Sequence, residues 1–300
     1  MGFKPEDKHE LIQIIQNKIS THGPAVDLND IDVSGLTDLS EVFEDLYFEG
    51  DVSKWDVSNV TNFSYLFCHC PFNGDLSGWD VSRAQNMEGL FLGNQFNNPS
   101  ISDWNVSGVA NMHEMFRLTP FNQDLSKWDV SNVEDMERMF EDSQFNQPIG
   151  RWNVSKVENM LGMFFGAVFN QDISEWDVRQ VKSMRDMFAG SAFNQDISNW
   201  DVKSLYSAVD MFEGSECEHE NVFHRFKQEH PLQVNVDGFY KNSAAAQNNP
   251  FLQSACEATL AEYWRKLGFH EALADLWLGE EVDPNKPHTK NQAIEKKPRL

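Results

Sequence analysis

Tryptophan recurs in this chain at a fixed interval. Trp55, Trp79, Trp104, Trp128, Trp152, Trp176 and Trp200 lie 24, 25, 24, 24, 24 and 24 residues apart, and they are seven of the nine Trp in the 300-residue sequence. Self-similarity at a period of a few tens of residues marks a repeat architecture and decides the fold class before any local propensity does. The flanking sequence repeats with it: FNQDLSKWDVSNVEDMERMF spans 121–140, FNQDISEWDVRQVKSMRDMF spans 169–188 and FNQDISNWDVKSLYSAVDMF spans 193–212. A phenylalanine column (Phe43, Phe67, Phe91, Phe116, Phe140, Phe164, Phe188, Phe212) aligns eight units, the first a degenerate copy, IDVSGLTDLSEVF, without its Trp. The single interval of 25 places one extra residue near Asn98-Pro99, a local bulge.

One unit of 24 residues cannot bury enough apolar surface to offset the entropy of ordering its own backbone. Stacking is therefore obligatory, with Trp on Trp, Phe on Phe and Met on Met. The half of the unit from Phe to Val alternates apolar and polar residues, which predicts one or two very short strands. The other half has helical spacing: Val133, Met136, Met139 and Phe140 form one stripe. Ser131 with Glu134, and Ser155 with Glu158, have the spacing of a capping box, in which each side chain satisfies an orphan amide of a helix start. The pattern predicts an α/β repeat solenoid with a short strand and a short helix in each 24-residue coil.

Four segments follow. Residues 1–25 hold an amphipathic helix, from Pro5 to Ile19 with Leu11, Ile12, Ile15 and Ile19 on one face, expected to cap the first coil. Residues 26–215 are the solenoid. Residues 216–279 read as a mostly helical cap or small domain, with FLQSACEATLAEYWRKL and HEALADLWL as its helices, and 280–300 as a disordered tail too poor in apolar groups to fold.

A net charge of −23 argues against nucleic acid, whose binding needs clustered Lys and Arg, and against an anionic membrane surface. No run of apolar residues is long enough to span a bilayer. The first residues, MGFKPEDKHELIQIIQ, lack the apolar core of a secretory leader, so the cytoplasm is the expected compartment of the chain as written.

Several columns are candidate sites. Asn73, Asn97, Asn122, Asn146, Asn170 and Asn194 are expected to form an interior ladder that hydrogen-bonds the backbone of neighbouring coils. Asp75, Asp124, Asp172 and Asp196 form one acid column, and Asp56, Asp80, Asp129, Asp177 and Asp201 a second, interrupted by Asn105 and Asn153. Stacked carboxylates repel unless a cation bridges them, so calcium is the one cofactor these oxygens would suit, although each Asp can also cap its own turn. Capping is the preferred reading, and no cofactor is required. Cys68, His69 and Cys70, with Cys217, His219, His224 and His230, have no zinc-ligand spacing. No nucleophile elbow, phosphate loop or metal-protease motif is present, so no catalytic residue is expected. The variable residues just before Trp, namely Lys54, Lys127, Arg151, Glu175 and Asn199, are the candidate recognition surface. They are exposed if the Trp column is buried, and they differ from coil to coil.

The phrase FNQDISxWDV(S)xVxxMxxMF resembles the repeat of about 25 residues in BspA-like leucine-rich-repeat surface proteins and mycoplasma lipoproteins, and the likeness covers Ile31 to Gly214. The resemblance implies a leucine-rich-repeat-like solenoid that binds proteins or host surfaces without catalysis, often at the cell surface. The expected function is a non-enzymatic protein-binding scaffold with an acidic surface. The alternative is a structural subunit of a larger assembly or an adhesin.

Overall fold

The computed structural model describes residues 3–215 and 217. By internal contacts the chain divides into Met1–Cys256 and Glu257–Leu300, and every described residue belongs to the first unit. The helices and tail expected within 218–300 lie outside the described residues. Among the described residues no helix is long and apolar enough to cross a membrane.

Helix α1 spans Lys8–His22. It starts three residues after Pro5 because Asp7 supplies the cap: its carboxylate accepts the Glu10 amide at 2.9 Å. Gly23, at φ 86°, ends it by donating its amide to the Ile19 carbonyl at 2.8 Å. Leu11 and Ile15 are fully buried, and Lys8 Nζ ties the helix to the first coil through Ser40 Oγ at 2.6 Å and Asp38 Oδ2 at 3.2 Å.

The repeats stack in register. Coil 1 is the unit containing Ile31 and Phe43, coil 2 contains Trp55 and Phe67, and so on to coil 8 with Trp200 and Phe212. In coil 5, Leu125, Trp128, Val130, Val133, Met136, Met139 and Phe140 all point inward and are at most 3 % exposed. Their columns build two ring ladders. Phe43 through Phe212 stack from coil to coil at centroid distances of 5.3–5.9 Å. Phe48, Phe72, Phe96, Phe121, Phe145, Phe169 and Phe193 stack beside them at 6.0–6.5 Å. From Phe43–Phe48 to Phe188–Phe193, each of seven coils stacks one Phe of each ladder at 4.0–4.6 Å, so the ladders interlock. The indoles of Trp55 and Trp79, Trp79 and Trp104, and Trp176 and Trp200 stack at 6.4, 6.5 and 6.3 Å.

Each of the seven indoles also donates Nε1–H to a backbone carbonyl of the preceding coil, at 3.0–3.2 Å. The acceptor is the Leu, Val or Ile three residues before the previous coil's tryptophan position. That carbonyl already closes a turn in its own coil: Leu125 O accepts Trp128 N at 3.1 Å and Trp152 Nε1 at 3.1 Å. One oxygen thus fixes a turn and joins two coils, using both lone pairs.

The short helix expected in each coil is absent, and residues 136–143 form successive turns instead. Met139 N donates to Met136 O at 3.2 Å, Glu141 N to Arg138 O at 3.1 Å and Ser143 N to Phe140 O at 3.2 Å. The intervening amides of Met136, Arg138, Phe140 and Asp142 donate to Asn159, Leu161, Met163 and Phe165 of the next coil at 3.0, 2.8, 2.9 and 2.7 Å. Alternate amides serve the turn and the neighbouring coil, leaving none for an i→i−4 ladder. Arg138 and Asp142 sit at φ 53° and 52°, a left-handed conformation incompatible with a continuing helix. The same two positions are left-handed in every coil, from Glu41 and Asp45 to Asp210 and Gly214, and glycine fills six of them. The capping-box reading fails for the same reason. The Ser131 amide goes to Asp129 Oδ1 at 3.0 Å and the Glu134 amide to the Ala110 carbonyl at 2.8 Å.

Extended pairing is equally brief. Neighbouring coils are joined by isolated parallel bridges in a column running Asp38, Asn62, Asn86, Asn111, Asp135, Asn159, Ser183, Ser207, and no longer strand forms among the described residues. The extra residue near Asn98 is taken up by a 3-10 turn, Pro99–Ile101, capped by Asn98 on the Ser100 amide.

Two substitutions separate side-chain from backbone contributions. Trp152→Phe keeps a ring in the stack and leaves Leu125 O bound to Trp128 N, so the lost indole donor is expected to cost about 1–2 kcal/mol in urea unfolding. A Cβ on Gly190 would meet nothing closer than 3.9 Å, so Gly190→Ala isolates the strain of φ 65°. It should destabilise by roughly 1–2 kcal/mol in the same assay.

Candidate binding surface

The tryptophan flank presents a regular surface because two turns bracket each indole. In coil 5 the Asp124 carboxylate accepts the Ser126 amide at 2.8 Å, and Asp129 accepts that of Ser131 at 3.0 Å. Asp75, Asp172 and Asp196 repeat the first contact at 2.9 Å on Ser77, Ser174 and Ser198. Asp56, Asp80, Asn105 and Asn153 repeat the second, on the serine amide two residues ahead, at 3.0–3.2 Å. Each side-chain oxygen caps its own turn, which accounts for both acid columns residue by residue. It also explains why Asn replaces Asp after Trp104 and Trp152, since the amide oxygen caps equally well.

The caps hold Asp80, Asp124, Asp129, Asp172 and Asp177 below the ordinary carboxylate value. Backbone and hydroxyl donation from Ser126 and Ser174 lowers Asp124 and Asp172. The hydroxyls and amides of Ser82 and Ser131 lower Asp80 and Asp129, and Arg179 lowers Asp177 through a two-point contact at 2.8 and 2.6 Å. Lys203 pairs with Asp201 at 3.3 Å. Among the described residues no cluster of three or more His, Cys, Asp or Glu has the geometry to hold a metal ion.

Lys54, Lys127, Arg151, Glu175 and Asn199 are all exposed, each immediately before a buried indole. With Gly78 and Asp103 at the equivalent positions, they form a stripe of changing charge on an unchanging backbone. Lys127 Nζ reaches Asp103 across one coil at 2.6 Å, but with both side chains more than two-thirds exposed the pair adds little stability.

The asparagine column joins coils, though not from the interior. Asn73 Oδ1 accepts the Asn97 amide at 3.0 Å, Asn97 that of Asn122 at 3.0 Å, and Asn122, Asn146 and Asn170 those of Asn146, Asn170 and Asn194 at 2.9 Å. Asn73 and Asn97 are exposed and the others half-buried, because the ladder runs along the outer edge of the Phe121-type column. Gln123, Gln147, Gln171 and Gln195 brace the same oxygens at 2.9–3.0 Å. A second polar column, the bridge positions from Asp38 to Asn159, has no counterpart in the sequence reading. Its side chains cap the amide two residues on, as Asn62 does for Ser64 at 3.1 Å and Asp135 for Glu137 at 2.8 Å.

Sequence reasoning also missed a charged network on the turn face of coils 3–5. Arg117 binds Glu114 at 2.6 Å and Glu141 at 3.0 Å, and Arg138 lies 3.3 Å from Glu141. His113 stands 3.4 Å from Glu88, which accepts the Tyr65 hydroxyl at 2.6 Å. Glu114 and Glu141 are each only 8 % exposed, and burial pushes Glu141 and Asp142 up despite Arg117. The charges face one another across coils 24 residues apart, a juxtaposition visible only once the repeat is folded into columns. Elsewhere, Cys68 and Cys70 are buried thiols raised by desolvation, Cys70 to about 12, and His69 pairs with Asp45 at 3.2 Å. His219, His224 and His230 lie outside the described residues.

Stacked coils, an indole in seven of the eight and a common register define a repeat protein. A family model described as "Mycoplasma protein of unknown function, DUF285" matches residues 13–120, 69–168 and 117–226, which together span most of the chain, and the chain belongs to that family. The comparisons with curated proteins and with solved structures found no match.

The capped carboxyls set a pH dependence. An aspartate held below its ordinary value of 3.8 contributes stability that is present above that value and lost as pH falls through it toward the folded-state value. The unfolding midpoint should therefore drop as pH is lowered below about 4. Asp129→Ala should cost about 0.5–1.5 kcal/mol at neutral pH, while Asp129→Asn, which keeps the cap, should be nearly neutral and remove its share of the acid sensitivity. Thermal melts across pH check both.

Proposed function

We propose that the chain is a leucine-rich-repeat-like solenoid of the BspA-like surface-protein kind, and that it acts as a non-enzymatic scaffold binding a protein partner along its tryptophan flank. The observation that carries this reading is the contrast between frame and display. The inward columns stay apolar, with Phe at every step from Phe43 to Phe212 and Trp at every step from Trp55 to Trp200, whereas the exposed position before Trp runs Lys54, Gly78, Asp103, Lys127, Arg151, Glu175, Asn199. Selection for folding alone requires the first and leaves the second free, so a changing stripe on a rigid frame is where a partner would be distinguished. The overall charge of −23 favours a basic partner by long-range attraction. The buried charges of the turn face neutralise one another, which suits a structural role there.

The test exchanges the stripe and leaves the frame intact. A variant with Lys54→Glu, Lys127→Glu, Arg151→Glu and Glu175→Lys should melt within a degree or two of the parent, since exposed substitutions shift stability by less than about 0.5 kcal/mol. It should lose the partner that the parent captures from a lysate of its source. Equal capture by both proteins would overturn the reading. Light scattering that showed a defined oligomer would point instead to a structural subunit.

A further inference from the structure

Coil 1 has Ile31 where the other coils have tryptophan, and its flank is occupied. Phe3 lies parallel to it: the Phe3 amide donates to the Asp30 carbonyl at 3.0 Å, and the Asp32 amide donates to the Phe3 carbonyl at 2.7 Å. Side chains reinforce this single bridge. Lys4 Nζ pairs with Asp32 at 3.0 Å, while Lys18 Nζ pairs with Asp30 at 2.7 Å and stands 5.0 Å over the Phe3 ring.

The same two backbone groups recur beside each tryptophan: the carbonyl of the residue before it and the amide of the residue after it. In coils 2–8 neither group forms a hydrogen bond within the described protein, and the residue before each Trp is exposed. The carboxylates equivalent to Asp32 differ in one respect. Asp177 and Asp201 already hold Arg179 and Lys203, and coils 4 and 6 carry Asn105 and Asn153. Asp56, Asp80 and Asp129 cap their turns, and no cation pairs with them among the described residues.

We propose that the flanks at Lys54/Asp56, Gly78/Asp80 and Lys127/Asp129 dock extended peptide segments that carry an aromatic residue followed by lysine, with the chain's own Phe3-Lys4 as the resident example in coil 1. The partner's aromatic residue bridges the carbonyl and the amide through its backbone, and its lysine pairs with the aspartate, as Phe3 and Lys4 do. One bridge and one exposed ion pair make each site weak, with Kd on the order of 1 mM. A partner repeating the motif engages several coils and gains by avidity. This inference rests on the binding role proposed above and names the chemistry the flank selects.

The probe is the amidated tetrapeptide Gly-Phe-Lys-Pro, titrated into the full-length protein and followed by amide NMR. Saturable shifts are expected at Asp56, Asp80 and Asp129, weakening roughly tenfold in high salt, and with alanine in place of the peptide's phenylalanine. The triple variant Asp56→Asn, Asp80→Asn, Asp129→Asn retains the caps, as Asn105 and Asn153 do, and should lose the binding without a change in melting temperature. Absence of saturation at several times the ~1 mM expected Kd, or undiminished binding by the triple variant, overturns the proposal. Partner capture that survives the failure of peptide binding leaves the scaffold reading intact. Peptide binding without capture sinks the scaffold reading alone.

Discussion

The structure depends on a carbonyl oxygen that accepts twice. In coils 1–7 the oxygen three residues before the tryptophan position closes a turn through the amide at that position and receives the indole of the next coil. Leu125, with Trp128 and Trp152, is the pattern in one instance. Along this side of the coil few backbone amides reach the neighbouring coil, so side chains make the connection. The indole can do so because it is long, flat and carries one donor at its far edge, which lets the ring stack in the core while the N–H meets a polar group. The asparagine and glutamine columns do the same work at the coil's outer edge.

On the turn face the backbone itself provides the connection. Alternate amides cross to the next coil, as those of Met136, Arg138, Phe140 and Asp142 do, and the remaining ones close turns. That alternation requires two left-handed residues per coil, of which ten across the eight coils are not glycine. Such residues cost roughly 1–2 kcal/mol each. They persist because neighbouring coils over-determine the conformation, holding it by bonds on both sides and by the paired Phe ladders beneath.

Charge is distributed in line with this division. Where turns are capped on the tryptophan flank, aspartate oxygens are occupied by amides of their own turn and lie in solvent. Where side chains crowd on the turn face, Glu114 and Glu141 are nearly buried and need Arg117 and Arg138 to remain tolerable. Acidic columns thus arise from turn chemistry, and their repetition every 24 residues accounts for part of the charge of −23.

The sequence by itself determined the period, the inward columns, the position of the single extra residue near Asn98 and the exposure of Lys54, Lys127, Arg151, Glu175 and Asn199, because periodic burial leaves a periodic apolar pattern. It misled about residues 131–140, where Val133, Met136, Met139 and Phe140 have the spacing of an amphipathic helix. A chain of turns with a left-handed residue at every fourth position places the same residues inward, so hydrophobic spacing alone does not separate the two. The glycines at 89, 93, 162, 166, 190 and 214 carried the discriminating signal, in columns that a helix would not favour. What only the tertiary structure decided were the contacts between residues 24 or more apart: the indole–carbonyl bonds, the Arg117–Glu141 network and the Phe3 arm beside Ile31. Their reason is shared. Each depends on the register and spacing of neighbouring coils, which is set by backbone hydrogen bonding between them and leaves no trace in the local order of residues.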